Sequence, residues 1–166
     1  GSEMCKETDI TQVHFIKLRL FDTKGKEVAN TFYWRSNDKY EGRKTLTGPT
    51  SSGFEDLSKL KQVQLKTRYQ TYQEGDRHFI KAEIKNPSST VAFFTQLQLL
   101  GQDKKPVRPS FYTDNFFSLL PGESKTVIIE TAASDMPSEP TFVVKGWNIK
   151  PRVSNCNSIT VNAVYG

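Results

Sequence analysis

Apolar and polar residues alternate over residues 15–21, where Ile16, Leu18 and Leu20 are set against Lys17 and Arg19. That period of two predicts a half-buried strand with one wet face. Residues 23–26 supply a turn with Gly25 where a positive φ is needed, and residues 28–35 read as the returning strand of a hairpin. From Ser36 to Leu57 the pattern dissolves into Asn, Asp, Gly, Thr and Ser around Pro49, which sustains no period and predicts a linker. Alternation resumes with Val63, Leu65, Thr67 and Tyr69 on one face and Gln64, Lys66 and Arg68 on the other. Residues 73–76 turn the chain, and Ile80, Ala82 and Ile84 share one face of the next strand, which Asn86-Pro87-Ser88-Ser89 closes.

Residues 91–100 are richer in apolar side chains, as expected of a strand covered on both faces, and a polar turn over residues 101–106 ends it. A strand over residues 111–120 leads into Leu120-Pro121-Gly122-Glu123, whose Pro and Gly suit a type II turn. Strands over residues 125–131 and 141–147 follow, and residues 158–165 alternate again as a last strand. About seven short strands at regular spacing, with no amphipathic helix, predict an antiparallel sandwich.

At 166 residues the chain suffices for one well-buried core and is too short for a large catalytic barrel. Hydrophobic residues make up only 36%, yet eleven Phe, six Tyr and two Trp supply the bulk that a core needs, so folding is expected. A net charge of +5 raises the idea of a polyanion partner. Lys59, Lys61, Lys66, Lys81 and Lys85 are instead scattered among apolar, polar and acidic neighbours without any nucleic-acid motif. A solvated basic face is therefore expected, with no nucleic acid as partner. No apolar run is long enough for a membrane helix, and no membrane partner is expected. Gly1-Ser2 reads as a remnant of expression, which leaves room for a removed export signal. Cys5 and Cys156 lie near opposite ends, without the spacing of a zinc site or a redox pair; one disulfide and two free thiols both stay open.

Two segments carry a resemblance: Asn30-Thr31-Phe32-Tyr33-Trp34-Arg35-Ser36, and the run Phe111-Tyr112-Thr113-Asp114-Asn115-Phe116-Phe117-Ser118 that continues through Leu119 into Leu120-Pro121-Gly122-Glu123. They resemble the carboxyl-terminal region of family-2 glycoside hydrolases of the β-mannosidase and exo-β-glucosaminidase type. In that family the 30–36 segment resembles the last strand of a penultimate immunoglobulin-like domain. The 111–123 segment is similar to a strand and turn of the terminal domain, and Phe142-Val143-Val144-Lys145-Gly146-Trp147-Asn148 resembles its closing strand. The similarity runs over residues 15–148, and residues 149–166 have no counterpart. It implies an all-β fold: an immunoglobulin-like antiparallel β-sandwich preceded by a β-hairpin and linker. The implied domains are residues 1–35, the terminal hairpin of a preceding immunoglobulin-like domain; residues 36–57, the linker; and residues 58–166, the sandwich. A hairpin cut from its parent sheet would have exposed edges.

Family-2 enzymes cleave with retention, using two carboxylates about 5 Å apart, and the family holds both in a (β/α) barrel. No Glu of this chain sits in a motif resembling either site, so no catalytic residue is expected, and neither a metal nor a cofactor. The resemblance implies a non-catalytic accessory domain whose partner is the rest of a parent β-glycosidase, itself periplasmic or secreted, which it packs against and stabilises. Asp114-Asn115 is the pair most tempting as catalytic, but a polar pair between aromatics near a turn is expected to bond to the backbone. His14 and His78 fall on different strands without Cys or carboxylate neighbours in a ligand pattern and read as ordinary strand histidines.

The alternative is a carbohydrate-binding module whose exposed aromatics stack on the rings of an oligosaccharide. Tyr33, Trp34, Tyr40, Tyr69, Tyr72, Tyr112 and Trp147 are the aromatics available. Trp34 and Trp147 are expected to fill the core or a domain seam, since Trp is highly buried on average. Tyr40 and Tyr72 fall in loop or turn contexts, and with Tyr112 and Trp147 they form the candidate sugar-binding set.

Overall fold

The computed structural model describes residues 2–4, 13–36 and 57–155. Residues 37–56 of the expected linker, Tyr40, Cys5, Cys156 and the strand expected at residues 158–165 lie outside the described residues. The chain divides into two compact units, Gly1–Leu60 and Lys61–Gly166.

In the first unit, β1 (Ser2–Met4), β2 (Val13–Phe21) and β3 (Glu27–Ser36) form one antiparallel sheet in the order β1-β2-β3. The β2–β3 hairpin is the predicted one, and β1 is an addition that no periodicity signals. Asp22 organises the turn: its Oδ1 accepts the N–H of Lys24 at 2.8 Å and of Lys26 at 2.9 Å. Gly25 closes it at φ +77°, a left-handed conformation that a Cβ opposes.

Cross-strand register places Phe15, Lys17, Arg19 and Phe32 on one face. There Phe15 stacks on Phe32 at 5.6 Å and the Arg19 Nε donates to Glu27 Oε2 at 2.7 Å. Ile16, Leu18, Leu20 and Tyr33 share the other face, where Leu18 and Leu20 are 41% and 52% exposed. The expectation of a strand with its apolar side buried is corrected here: among the described residues of this unit no second sheet covers that side.

The second unit is an immunoglobulin-like antiparallel β-sandwich. Its eight described strands are β4 (Lys66–Glu74), β5 (Arg77–Lys85), β6 (Ala92–Leu100), β7 (Phe111–Tyr112), β8 (Phe117–Leu119), β9 (Ser124–Ala132), β10 (Thr141–Gly146) and β11 (Ile149–Asn155). One sheet runs β4-β5-β9-β7 and the other β11-β10-β6-β8. Ile80, Ala82, Ile84, Val127 and Ile129 project from the first sheet into the core; Leu97, Leu99, Leu119, Phe142, Val144 and Ile149 project from the second. All are buried, as the alternation of β5 and the inward pairing of Phe142 with Val144 require. The type II turn is present: Gly122 has φ +79°, and the Glu123 N–H donates to the Leu120 carbonyl at 3.1 Å.

Three expectations change. The apolar run at residues 91–100 is not a strand sealed on both faces: Leu97 and Leu99 point inward, while Gln96, Gln98 and Leu100 on the alternate face are half-buried. Its surplus of apolar residues sits at Phe93-Phe94, where pairing with β8 shifts register between Ala92 and Thr95. Residues 111–120 are not one strand, because β7 pairs with β9 in one sheet and β8 with β6 in the other, the intervening residues crossing between the layers. The segment over residues 142–148 does not close the domain. Trp147 and Asn148 turn the chain back, and β11 pairs along β10 as the edge strand.

Candidate functional site

The three irregularities of the sandwich meet at one place. The β6 register shift presents Phe94 above the buried Phe93, the sheet-crossing segment presents Phe116, and the β10–β11 turn presents Trp147. Phe94 and Phe116 both hold left-handed backbone conformations, φ 58° and 57°, which residues with a Cβ seldom adopt. Their rings lie 5.6 Å apart, and the Phe93 ring lies 5.8 Å from Phe94. Phe94, Phe116 and Trp147 are 50%, 51% and 52% exposed.

Each of these backbone positions is held by a hydrogen bond. The Phe93 N–H donates to Asn148 Oδ1 at 2.8 Å, the Phe94 N–H to Ser118 Oγ at 3.2 Å, and the Phe116 N–H to Asn115 Oδ1 at 3.0 Å. The Trp147 N–H donates to the Phe93 carbonyl at 3.0 Å. Gly146 lets the β10–β11 turn come this close, for a Cβ there would meet the Ile149 side chain and stand 2.9 Å from the Phe94 carbonyl oxygen.

Asparagines do this work by standing in for strand neighbours. Asn115 donates to the Leu97 carbonyl at 3.0 Å and accepts the Leu97 N–H at 2.9 Å, completing β6 beyond the end of β8. Asn148, buried, donates to the carbonyls of Lys61 and Val91 at 2.9 and 2.8 Å. Asn86, also buried, donates to the carbonyls of Thr90 and Leu119 at 2.8 and 3.0 Å. Asp114 accepts the Asn115 N–H at 2.7 Å and pairs with the Lys125 ammonium. Both members of the tempting Asp114-Asn115 pair are thus engaged with backbone or a neighbouring cation.

The described candidates for sugar binding are not brought together. Tyr72 lies in β4 and not in a turn, and its ring stacks on Phe79 at 5.0 Å. Tyr112 lies in β7 at the opposite edge of that sheet, packed against the core, with its Oη accepting the Leu99 N–H at 3.0 Å. Burial pushes the Tyr112 phenol above its ordinary value. Trp147 lies at the tip of the other sheet, and the expectation that it fills the core is corrected by its exposure. The expectation rested on the usual burial of Trp, whereas with Phe142 and Val144 facing inward alternation leaves Trp147 on the other side, in the turn before β11. Among the described residues no group of three or more His, Cys, Asp and Glu side chains could hold a metal ion.

Sequence reasoning missed Phe94 and Phe116, because strand periodicity carries no mark of a positive φ. The signals available were the doubled Phe93-Phe94, which interrupts a period of two, and the asparagine beside each of Phe116 and Trp147.

The chain matches the family described as the exo-beta-D-glucosaminidase Ig-fold domain over residues 45–149. It is 30% identical over 149 residues to an exo-beta-D-glucosaminidase of Streptomyces avermitilis, covering 84% of this chain and 16% of that protein. A second exo-beta-D-glucosaminidase, from Amycolatopsis orientalis, is 28% identical over 150 residues, covering 84% of this chain and 14% of its own length. The crystal structure of the Amycolatopsis orientalis exo-chitosanase CsxA shares the fold, with a TM-score of 0.74 at 24% identity over 90% of this chain and 19% of that one. The chain therefore spans about a sixth of the length of the curated relatives it matches.

Proposed function

This chain belongs to the exo-beta-D-glucosaminidase Ig-fold domain family, and from that premise we propose that it is a non-catalytic accessory domain of a longer retaining β-glucosaminidase. It packs against the remainder of that enzyme and stabilises it. The enzyme's two carboxylates lie in a different domain, and its substrate is a β-linked glucosamine rather than a mannoside. The sheet of the first unit is the end of a preceding immunoglobulin-like domain, and the linker joins it to the sandwich. The observation that carries the reading is the use made of Asp114 and Asn115: the most catalytic-looking pair of the chain is committed to Lys125, Leu97 and its own backbone. Retaining cleavage needs a second carboxylate about 5 Å away and a sugar site between the two.

The test is an assay of the purified chain on a chromogenic β-D-glucosaminide, where turnover equal to buffer is expected. Turnover well above buffer that a single Glu or Asp substitution abolishes would overturn the accessory reading. Carbohydrate binding is the second reading, favoured by the exposure of Trp147. Titration with glucosamine oligomers that leaves the tryptophan fluorescence unchanged removes it.

A further inference from the structure

We infer that the outer face of the sheet β4-β5-β9-β7 is a binding surface for an acidic polysaccharide. The inference goes beyond the accessory reading and stands without it. Lysines scattered along the sequence are gathered by the fold. β4 and β5 pair so that Lys66 lies opposite Lys85, Arg68 opposite Glu83 and Gln70 opposite Lys81, all on the side away from the buried Ile80, Ala82 and Ile84. The rows continue on β9 with Ser124, Thr126 and Ile128, which add no charge. Four cations thus surround one carboxylate, with neighbours about 5 Å apart across strands and about 7 Å apart along a strand. All five charged residues are exposed, and none of them forms an ion pair among the described residues. Lys66 directly opposite Lys85 is a like-charge pair that a sheet disfavours, and an anion laid across the two strands relieves it. The expectation of a merely solvated basic face rested on spacing along the chain, which carries no information about cross-strand neighbours.

The same face carries rings. In the next row Tyr72, Phe79, Glu130 and Phe111 lie side by side across all four strands. Tyr72 stacks on Phe79 at 5.0 Å, and Tyr72 and Phe111, at the two edges of the sheet, are 36% and 56% exposed. Arg77 is committed to Glu130 through its Nε at 2.7 Å and lies over the Phe111 ring at 5.9 Å, so this end of the face is charge-balanced and lined by rings. Rings suit the apolar faces of pyranoses, and the unpaired cations beside them suit carboxylates. An acidic peptide would use the cations alone. A glucosamine polymer, itself cationic when protonated, is repelled by them.

The experiment titrates this chain with a galacturonate hexamer, followed by calorimetry and by backbone amide signals. Saturable binding is expected, weakening about tenfold between roughly 50 and 200 mM salt. The amide signals of β4 and β5 should shift and those of β10 and β11 should not. No saturable binding, or shifts centred on β10 and β11, overturns the inference. The methyl-esterified hexamer, which lacks charge, and a glutamate hexamer, which lacks sugar, should each bind at least about tenfold more weakly. Equal affinity for the first leaves ring stacking alone, and equal affinity for the second makes the partner an acidic protein segment; either overturns the inference. The double variant Lys66→Gln with Lys85→Gln should weaken binding about tenfold and leave the melting temperature unchanged or raised, since it removes a like-charge pair. Lys150→Gln with Arg152→Gln makes the same charge change on β11 and should weaken binding less than about twofold. Equal losses in the two would trace the binding to net charge and overturn the face. If the first double variant does not fold, the amide shifts of the unsubstituted chain still decide. A chain that binds the uronate and also cleaves a glucosaminide sinks the accessory reading alone, whereas one that does neither sinks this inference alone.

Discussion

Two regions of this chain carry the same sequence pattern and meet different fates. In β2 the alternation of Ile16, Leu18 and Leu20 is as regular as that of Ile80, Ala82 and Ile84 in β5. The β5 residues are fully buried, while Leu18 and Leu20 face solvent. The sandwich has a second sheet whose side chains interdigitate with the first; among the described residues the first unit has one sheet. Alternation specifies which side chains share a face, and burial requires another layer to meet that face. In the first sheet the better-bonded face is the one carrying charge, through Arg19, Glu27 and the Phe15–Phe32 stack.

The comparison is broken or sharpened most directly in the core. Phe142→Ala is expected to destabilise the sandwich by about 3–5 kcal/mol, through lost transfer energy and a residual cavity. Leu20→Ala should change stability by no more than about 0.5 kcal/mol, as exposed substitutions do. Urea midpoints of the two variants check this, and a large cost at Leu20 would show its face to be covered in solution. Asparagines give the next effect. Asn148→Ala orphans the Phe93 N–H and two carbonyls at a buried position and should cost about 2–3 kcal/mol. Asn30→Ala removes one exposed bond to Glu27 and should cost under about 1 kcal/mol by the same denaturation.

Glycines come third. Gly146→Ala forces a Cβ against backbone and the Ile149 side chain and is expected to cost about 1–3 kcal/mol. Gly25→Ala meets open space and bears only the left-handed penalty, about 1 kcal/mol. Thermal melts that rank the two in the opposite order would contradict the close approach of the β10–β11 turn to β6.

The smallest effects separate the regions by pH. The hydrogen bond from Arg19 holds the Glu27 carboxyl below its ordinary 4.5. The folded hairpin thus binds fewer protons than the unfolded one, and its stability is present above pH 4.5 and lost as pH falls through the lowered value. The pair is partly exposed and screened, so the loss is under about 1 kcal/mol. Backbone amide signals of β2 and β3, followed during acid titration, should broaden before those of the sandwich. Tyr112 acts at the other end of the scale: burial raises its phenol above 10.0, so the folded state keeps a proton that the unfolded chain gives up. Sandwich stability should decline as pH rises past 10.0, and the decline should flatten in Tyr112→Phe.

By itself the sequence determined most of the strands, the β2–β3 and β4–β5 hairpins, the glycine turns and the inward faces of β4 and β5. Periodicity and turn chemistry are local, and a run such as Ile80, Ala82 and Ile84 carries them whole. The resemblance on the residue 30–36 and 111–123 segments likewise led to the family, because those motifs are contiguous. The tertiary structure decided everything that depends on where local order fails. A register shift turned Phe94 outward, a sheet crossing divided β7 from β8, and the turn at Trp147 and Asn148 left an expected core tryptophan in solvent. Such points are set by the backbone groups that a sandwich must satisfy at its edges, through Asn115 to Leu97 and Asn148 to Phe93 and Val91. Partners so distant along the chain meet only once both sheets have formed.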